Sequence, residues 1–175
     1  MNYTFVPMNK TYAITIVETW QYKNEYAIYN YINEADHMLD SDAWGKGIFA
    51  ILNLQGELVG ELSIEFYDEQ GNYTEYADFD NNTLINQREM WIGFGLRPDL
   101  VGQGHGAEFV TACTAYAVRH YHYRGEYVGL GVATFNQRAI KAYTQAGFHI
   151  FEHTIGEING QSFEVVHMRK KLKTE

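Results

Sequence analysis

Arg97-Pro98-Asp99-Leu100-Val101-Gly102-Gln103-Gly104-His105-Gly106-Ala107 is the stretch around which this chain is organised. The apolar run Met90 to Leu96 leads into it, and a run with helical spacing, Glu108 to Arg119, leads out. Strand, glycine-rich turn and helix together offer backbone N–H groups to an anion, and the helix N-terminus adds a partial positive charge. Side chains at the glycine positions would obstruct a ligand lying against the backbone, and a turn here favours residues that tolerate positive φ. The stretch therefore predicts an anion-binding turn for a phosphorylated cofactor. The plainer alternative is a flexible loop before an ordinary helix.

Outward from this turn, the chain reads as one domain over residues 1–175 with enough apolar sequence for a substantial core, since 46% of its residues are hydrophobic. A formal charge of −9 disfavours a nucleic-acid backbone or an anionic membrane as main partner and is compatible with a cationic one. The lone cysteine, Cys113, excludes an intramolecular disulfide and falls among apolar residues at helical spacing, which marks a buried structural thiol. His120 and His122 lack a third ligand at useful spacing, so no metal site is expected. No signal peptide or membrane-length apolar run is apparent, and a cytoplasmic location is the expectation.

N-terminal to the turn, Tyr3 to Val6 reads as a short strand. Ala13, Ile16, Val17 and Trp20 then mark one face of a helix that Asn9 or Thr11 would cap. The segment Trp20 to Tyr31 holds five large aromatics, which could line a pocket or form a seam between helices. Residues 36–47 read as loop or short helix, with Ser41 or Asp42 as caps. Two antiparallel strands, Gly47 to Asn53 and Glu57 to Tyr67, follow with a turn at Gln55-Gly56. Strict alternation would put Leu58, Gly60, Leu62, Ile64 and Phe66 on a buried face and Val59, Glu61, Ser63 and Glu65 on the other. The polar stretch Asp68 to Gln87 is long enough to be functional or mobile.

C-terminal to the turn, Phe109, Val110, Cys113, Tyr116 and Ala117 form a helical stripe, and Tyr127 to Thr134 reads as a strand. A helix follows, with Ala139, Ile140, Tyr143 and Ala146 on its apolar side and Gly147 as its C-cap. Two closing strands, Phe148 to Ile155 and Ser162 to Leu172, turn at Ile158-Asn159-Gly160. Lys170-Lys171-Leu172-Lys173 reads as a frayed basic tail.

The glycine turn, a helix, a strand, then Ala133-Thr134-Phe135-Asn136-Gln137-Arg138-Ala139-Ile140-Lys141-Ala142-Tyr143 and Ala146-Gly147-Phe148 occur in an order that resembles the GNAT family of acyl-CoA-dependent N-acetyltransferases. Gly104 and Gly106 match the family turn, whereas Val101 stands where Arg or Gln is usual. The resemblance implies an α/β fold with a mixed, mostly antiparallel twisted sheet flanked by helices and splayed between the fourth and fifth strands. It implies acetyl-CoA in that wedge, with Phe94, Gly95, Leu96 and Arg97 along the pantetheine arm. The backbone amides of Gly102, Gln103, Gly104, His105, Gly106 and Ala107 would hold the pyrophosphate, with Asn136 and Tyr143 beside the cofactor.

The implied reaction is direct attack of a primary amine on the thioester within a ternary complex. Tyr143 would protonate the departing thiolate. Glu89 would be the base, with Asp78, Asp80 and Glu61 as lesser candidates and a water chain as another route. The acceptor would be a small-molecule or peptide amine, approached from Trp20 to Tyr31 and from Asp68 to Gln87; a homodimer is left open. The competing reading is an acetyl-CoA-binding sensor or regulatory module without turnover. A P-loop nucleotidase is disfavoured because no Lys-Ser or Lys-Thr follows the glycines, and the three-glycine dinucleotide spacing is absent.

Overall fold

The computed structural model describes residues 3–172. Seven strands form one sheet in the order β1 (Thr4–Pro7), β2 (Ile48–Leu52), β3 (Leu58–Tyr67), β4 (Glu89–Leu96), β5 (Tyr127–Ala133), β7 (Gln161–Lys171) and β6 (His149–Ile158). All neighbours pair antiparallel except β4 and β5. That parallel pair meets only at Met90 with Val128 and Trp91 with Gly129, then parts. This is the mixed, mostly antiparallel sheet expected from the sequence, splayed where it was expected to be.

The sheet is covered on both faces because its inner strands are apolar on both sides. On β2, Phe49 and Ile51 enter one core while Ile48 and Ala50 enter the other. The first core packs α4 (Gly106–His120), through Phe109, Val110, Cys113 and Ala117, against β3, β4 and β5. The second packs α1 (Lys10–Thr19), through Ala13, Ile16 and Val17, and α2 (Ala35–Leu39), through Met38. Asn9 caps α1 by accepting the Tyr12 N–H at 3.0 Å. α5 (Gln137–Gln145) lies beside α4, and Gly147 ends it at φ +95°. Asn159 and Gly160, both at positive φ, make the β6–β7 turn.

The structure corrects several details. β3 does not have one solvent face, because Glu61 is only 4% exposed beneath the segment that follows α1. Its alternation also breaks: Leu52 pairs with Leu58 and Ile51 with Gly60, so Val59 bulges and joins the same core as Leu62. Trp20 to Tyr31 does not link two long helices but continues into short 3₁₀ helices, Asn24–Tyr29 and Tyr31–Glu34. Asp40, not Ser41 or Asp42, caps the turn at Ser41–Ala43 by accepting the Asp42 N–H. Lys170 and Lys171 belong to β7, while Lys173 lies outside the described residues.

The polar stretch Asp68 to Gln87 is a packed segment. It forms a 3₁₀ turn at Tyr76–Asp78 and helix α3 (Asn82–Asn86). Phe79 and Ile85 insert into the first core, and Asp68 pairs with Arg88 at 2.8 Å. Phe66 holds this segment, meeting Phe79 and Tyr121 edge to face, both at 5.1 Å between ring centroids. Phe66→Ala is expected to cost about 3–5 kcal/mol, read as a lower urea midpoint with an unchanged slope. A loss below about 1 kcal/mol would show that the ring does not carry this packing.

Candidate active site

Where β4 leaves β5 a cavity of about 950 Å³ opens between them. Its walls come from β4 (Ile92 to Leu96), β5 (Leu130 to Ala133), the glycine turn and α5. The ladder with β3 dictates which backbone groups look into it. The Arg97 N–H donates to Val59 O at 2.8 Å, which makes Gly95 with Glu61 and Gly93 with Ser63 the hydrogen-bonded pairs. The N–H and C=O groups of Phe94 and Leu96 therefore face the open side. Leu96 O is satisfied there by the Tyr22 hydroxyl at 2.9 Å.

The turn continues this open edge. Gly102 and Gly104 sit at φ +82° and +87°, where a side chain would be strained, and nothing lies within 4 Å of a Cβ built on either. No side chain caps α4: His105 occupies the N-cap position without a side-chain hydrogen bond. Gly106 lets α4 approach α5, since a Cβ there would stand 3.0 Å from Ala142 Cβ. Gly102, Gly104, Gly106 and Ala107 line the cavity, and Arg138 and Lys141 add positive charge from α5. These features fit a phosphate group on the turn and an extended polar chain along β4.

Several of the expected residues also have structural ties. Arg97 braces the turn, with its guanidinium on Asp99 at 2.7 Å and on Leu58 O at 3.0 Å. Gln103 closes it by donating to Asp99 O at 2.6 Å. Neither they nor His105 line the cavity. Asn136 does, but its Oδ1 caps α5 by accepting the Ala139 N–H at 3.2 Å. Tyr143 reaches the wall from α5 and packs edge to face on Phe94 at 5.4 Å. Burial, followed by the nearby Tyr29 and Tyr22, pushes its phenol well above the usual value, so it stays protonated as a donor.

Glu89 is not brought to the cavity. It is exposed at the start of β4, before the strands part, and pairs across the ladder with Tyr67. Asp78 and Asp80 are likewise absent from the walls, as is the whole segment Asp68 to Gln87 that was expected on the acceptor side. Of the candidate bases, the carboxyl that does line the cavity is Glu61, directly across from Gly95. Its Oε1 accepts the Tyr31 hydroxyl at 2.8 Å, and its buried Oε2 has no hydrogen-bond partner among the described residues. Burial raises its pKa from 4.5 to about 8, a rise that Glu34 increases and that the Tyr31 hydrogen bond and the Gly95 backbone oppose. Only Gly fits at 95, because a Cβ would collide with the Tyr31 hydroxyl.

Tyr22, Tyr26, Tyr29 and Tyr31 form the facing wall, which the aromatic clustering allowed the sequence to flag. The Arg138 guanidinium lies 3.8 Å from the centre of the Tyr26 ring. Asn159 on the β6–β7 turn donates to Ile28 O at 2.5 Å, tying that hairpin to the tyrosine wall. Glu34 and Glu157 also reach the cavity, and nothing in their local sequence distinguished them from surface glutamates. Among the described residues, no three His, Cys, Asp or Glu side chains gather as a metal site. No described helix is long and apolar enough to cross a membrane.

The buried Glu61 carboxyl has a thermodynamic signature. Folding raises its pKa, so the native state holds the proton more tightly than the unfolded chain does. Its stabilising contribution is full below about 4.5 and is lost as pH rises through about 8. The melting temperature of the ligand-free protein should therefore fall more between about pH 5 and about pH 9 than that of Glu61→Gln. Equal slopes for the two proteins would contradict the buried, proton-holding carboxyl.

Comparison with known proteins agrees with this geometry. The chain is similar in structure to a chimeric spermidine N-acetyltransferase made from Vibrio cholerae SpeG and hSSAT, with a TM-score of 0.61 and 18% identity over 98% of this chain and 96% of that one. It is similar to AAC(6')-Ib in complex with ribostamycin and coenzyme A, with a TM-score of 0.68 and 16% identity over 98% and 94% of the two chains. It is also similar to a GNAT acetyltransferase from Bacillus anthracis, with a TM-score of 0.66 and 12% identity over 98% and 95%. At these identities the likeness shows the fold. No curated protein matches the sequence directly. The model of the acetyltransferase (GNAT) family matches residues 11–148. The chain belongs to the GNAT family of acyl-CoA-dependent N-acetyltransferases.

Proposed function

We propose that the protein transfers an acetyl group from acetyl-CoA to the primary amine of a small cationic molecule, by direct attack within a ternary complex. The observation that carries this reading is the continuous open edge from Phe94 through Leu96 to the glycine turn, joined on its other side to a buried carboxyl. The turn amides from Gly102 to Ala107 hold the pyrophosphate, aided by Arg138 and Lys141, and the backbone of Phe94 and Leu96 pairs with the pantetheine arm. Asn136, whose side chain caps α5 and bonds to Tyr29, and Tyr143 complete the cofactor side. Acetyl-CoA bound there supplies a thioester whose acyl carbon is open to an amine.

Three groups of the chain then divide the work. Glu61 takes the proton that the amine must lose as its nitrogen bonds to carbon; its raised pKa makes it a stronger proton acceptor than an ordinary glutamate. A backbone N–H of the open β4 edge donates to the developing oxyanion. The Tyr143 hydroxyl donates a proton to the sulfur as the carbon–sulfur bond breaks. Tyr31 positions Glu61 through its hydrogen bond. The acidic lining, Glu34, Glu61 and Glu157, favours a cationic acceptor. That preference is in keeping with neighbours of the same fold named for spermidine and bound to ribostamycin.

Thiol release in the presence of acetyl-CoA and an amine panel tests the reading. Tyr143→Phe should lower kcat by about tenfold to a hundredfold with little change in acetyl-CoA affinity, and Glu61→Gln should remove the acidic limb of the kcat/KM profile near pH 8. An unchanged rate in the first variant removes Tyr143 from the mechanism. An unchanged profile in the second removes Glu61. Acetyl-CoA binding without thiol release for any amine would favour the sensor reading instead.

A further inference from the structure

A second cavity, of about 480 Å³, meets the first at Glu61 and extends along the neighbouring part of β3 and β4. The two share Tyr31, Glu34, Glu61, Ile92, Gly93 and Gly131 in their walls. The floor of the second is a patch in which Glu61, Ser63 and Glu65 follow one another on one face of β3, with Gly93 opposite Ser63 and Trp91 opposite Glu65. Glu34 and His37 close it from the segment above. Its described lining contains three carboxylates and no lysine or arginine. Glu61, 4% exposed, contributes a buried oxygen with no partner among the described residues. Trp91 adds an indole surface, the side chain best suited to an ammonium face.

We propose that this second cavity is the subsite for a second positive charge on the acceptor, so that the preferred acceptor is a linear diamine or longer polyamine rather than a monoamine. The proposal rests on the N-acetyltransfer reading above and names the substrate class for it. The two ends of such a molecule need opposite treatment. The reacting nitrogen must lose its proton, which calls for one strongly basic, desolvated carboxylate, and Glu61 is placed for that. The other nitrogen stays charged, which calls for carboxylates nearer to water. Glu34 is exposed and Glu65 is half-buried, and Glu65 already accepts the Tyr67 hydroxyl at 2.5 Å, which orients it.

Strand geometry also limits the length of the acceptor. Glu61 and Glu65 are four residues apart on β3, so their Cα atoms are separated by roughly 13 Å. An acceptor that places one nitrogen at Glu61 and the other short of Glu65 fits, whereas a much shorter one leaves its second charge beside Glu61. The Gly93 position keeps the path open, because a Cβ there would meet Ser63 Oγ at 2.6 Å.

The experiment compares kcat/KM, by thiol release, for linear α,ω-diamines of increasing chain length with the linear monoamines of equal carbon count. Diamines of intermediate length should exceed their monoamine counterparts by about tenfold or more. Glu65→Gln and Glu34→Gln should shrink that ratio by raising KM for the diamine more than for the monoamine. Equal kcat/KM for the two series overturns the second subsite and leaves N-acetyltransfer standing. A diamine preference that neither substitution alters also overturns it, because the selectivity then lies elsewhere. Thiol release with neither series overturns the N-acetyltransfer reading itself.

Discussion

The parting of β4 from β5 after two paired residues is the constraint on which this molecule depends. Within a covered sheet, two strands that separate leave backbone N–H and C=O groups facing each other without partners, and each such buried group is costly unless something satisfies it. Trp91 and Gly129 mark the point of divergence, and a Cβ on Gly129 would stand 2.8 Å from the Trp91 ring. Beyond them the sheet resumes on either side, with β3 holding β4 and β7 holding β5. The wedge is therefore rigid on both flanks. Some of its open groups are met from within the chain, Leu96 O by Tyr22 and Ala133 O by the Asn136 N–H, and those left open suit an extended amide-bearing ligand.

Much of this was readable from the sequence. The glycine turn, the strand before it and the helix after it could be identified because each has a local physical signature: apolar alternation, loss of Cβ, then helical spacing. The long-range order of the sheet could be inferred only because two motifs occur in sequence at the right separation. What could not be read were features set by packing between distant segments. The bulge at Val59 shifts which residues of β3 share a face, and no local pattern announces it. The segment Asp68 to Gln87 has a polar composition, yet Phe79 and Ile85 anchor it in the core, and two buried apolar residues are easily overlooked among so many polar ones.

Glu61 shows the same limit in the site itself. On β3 it alternates with apolar residues and looks like a solvent-facing glutamate. What makes it chemically distinct is the Tyr31 segment, thirty positions earlier in the chain, folding over it and excluding water. Glu89 looked better placed in sequence because it opens the strand that leads to the turn, but it stands before the strands part and not within the wedge. Arg97 and Gln103 were read as holding the cofactor through their backbone, and their side chains tie the turn to Asp99 and β3. Rigidity of the turn depends on these ties, and so does the orientation of the glycine amides.

The proposed acetyl-CoA surface runs without a break from the open β4 edge to the glycine turn. Backbone hydrogen–deuterium exchange with and without acetyl-CoA tests it most directly. Slower exchange across Phe94 to Ala107 on ligand addition, with no change across Asp68 to Gln87, is the expected result. Unchanged exchange across Phe94 to Ala107, with protection appearing elsewhere in the sheet, would contradict it.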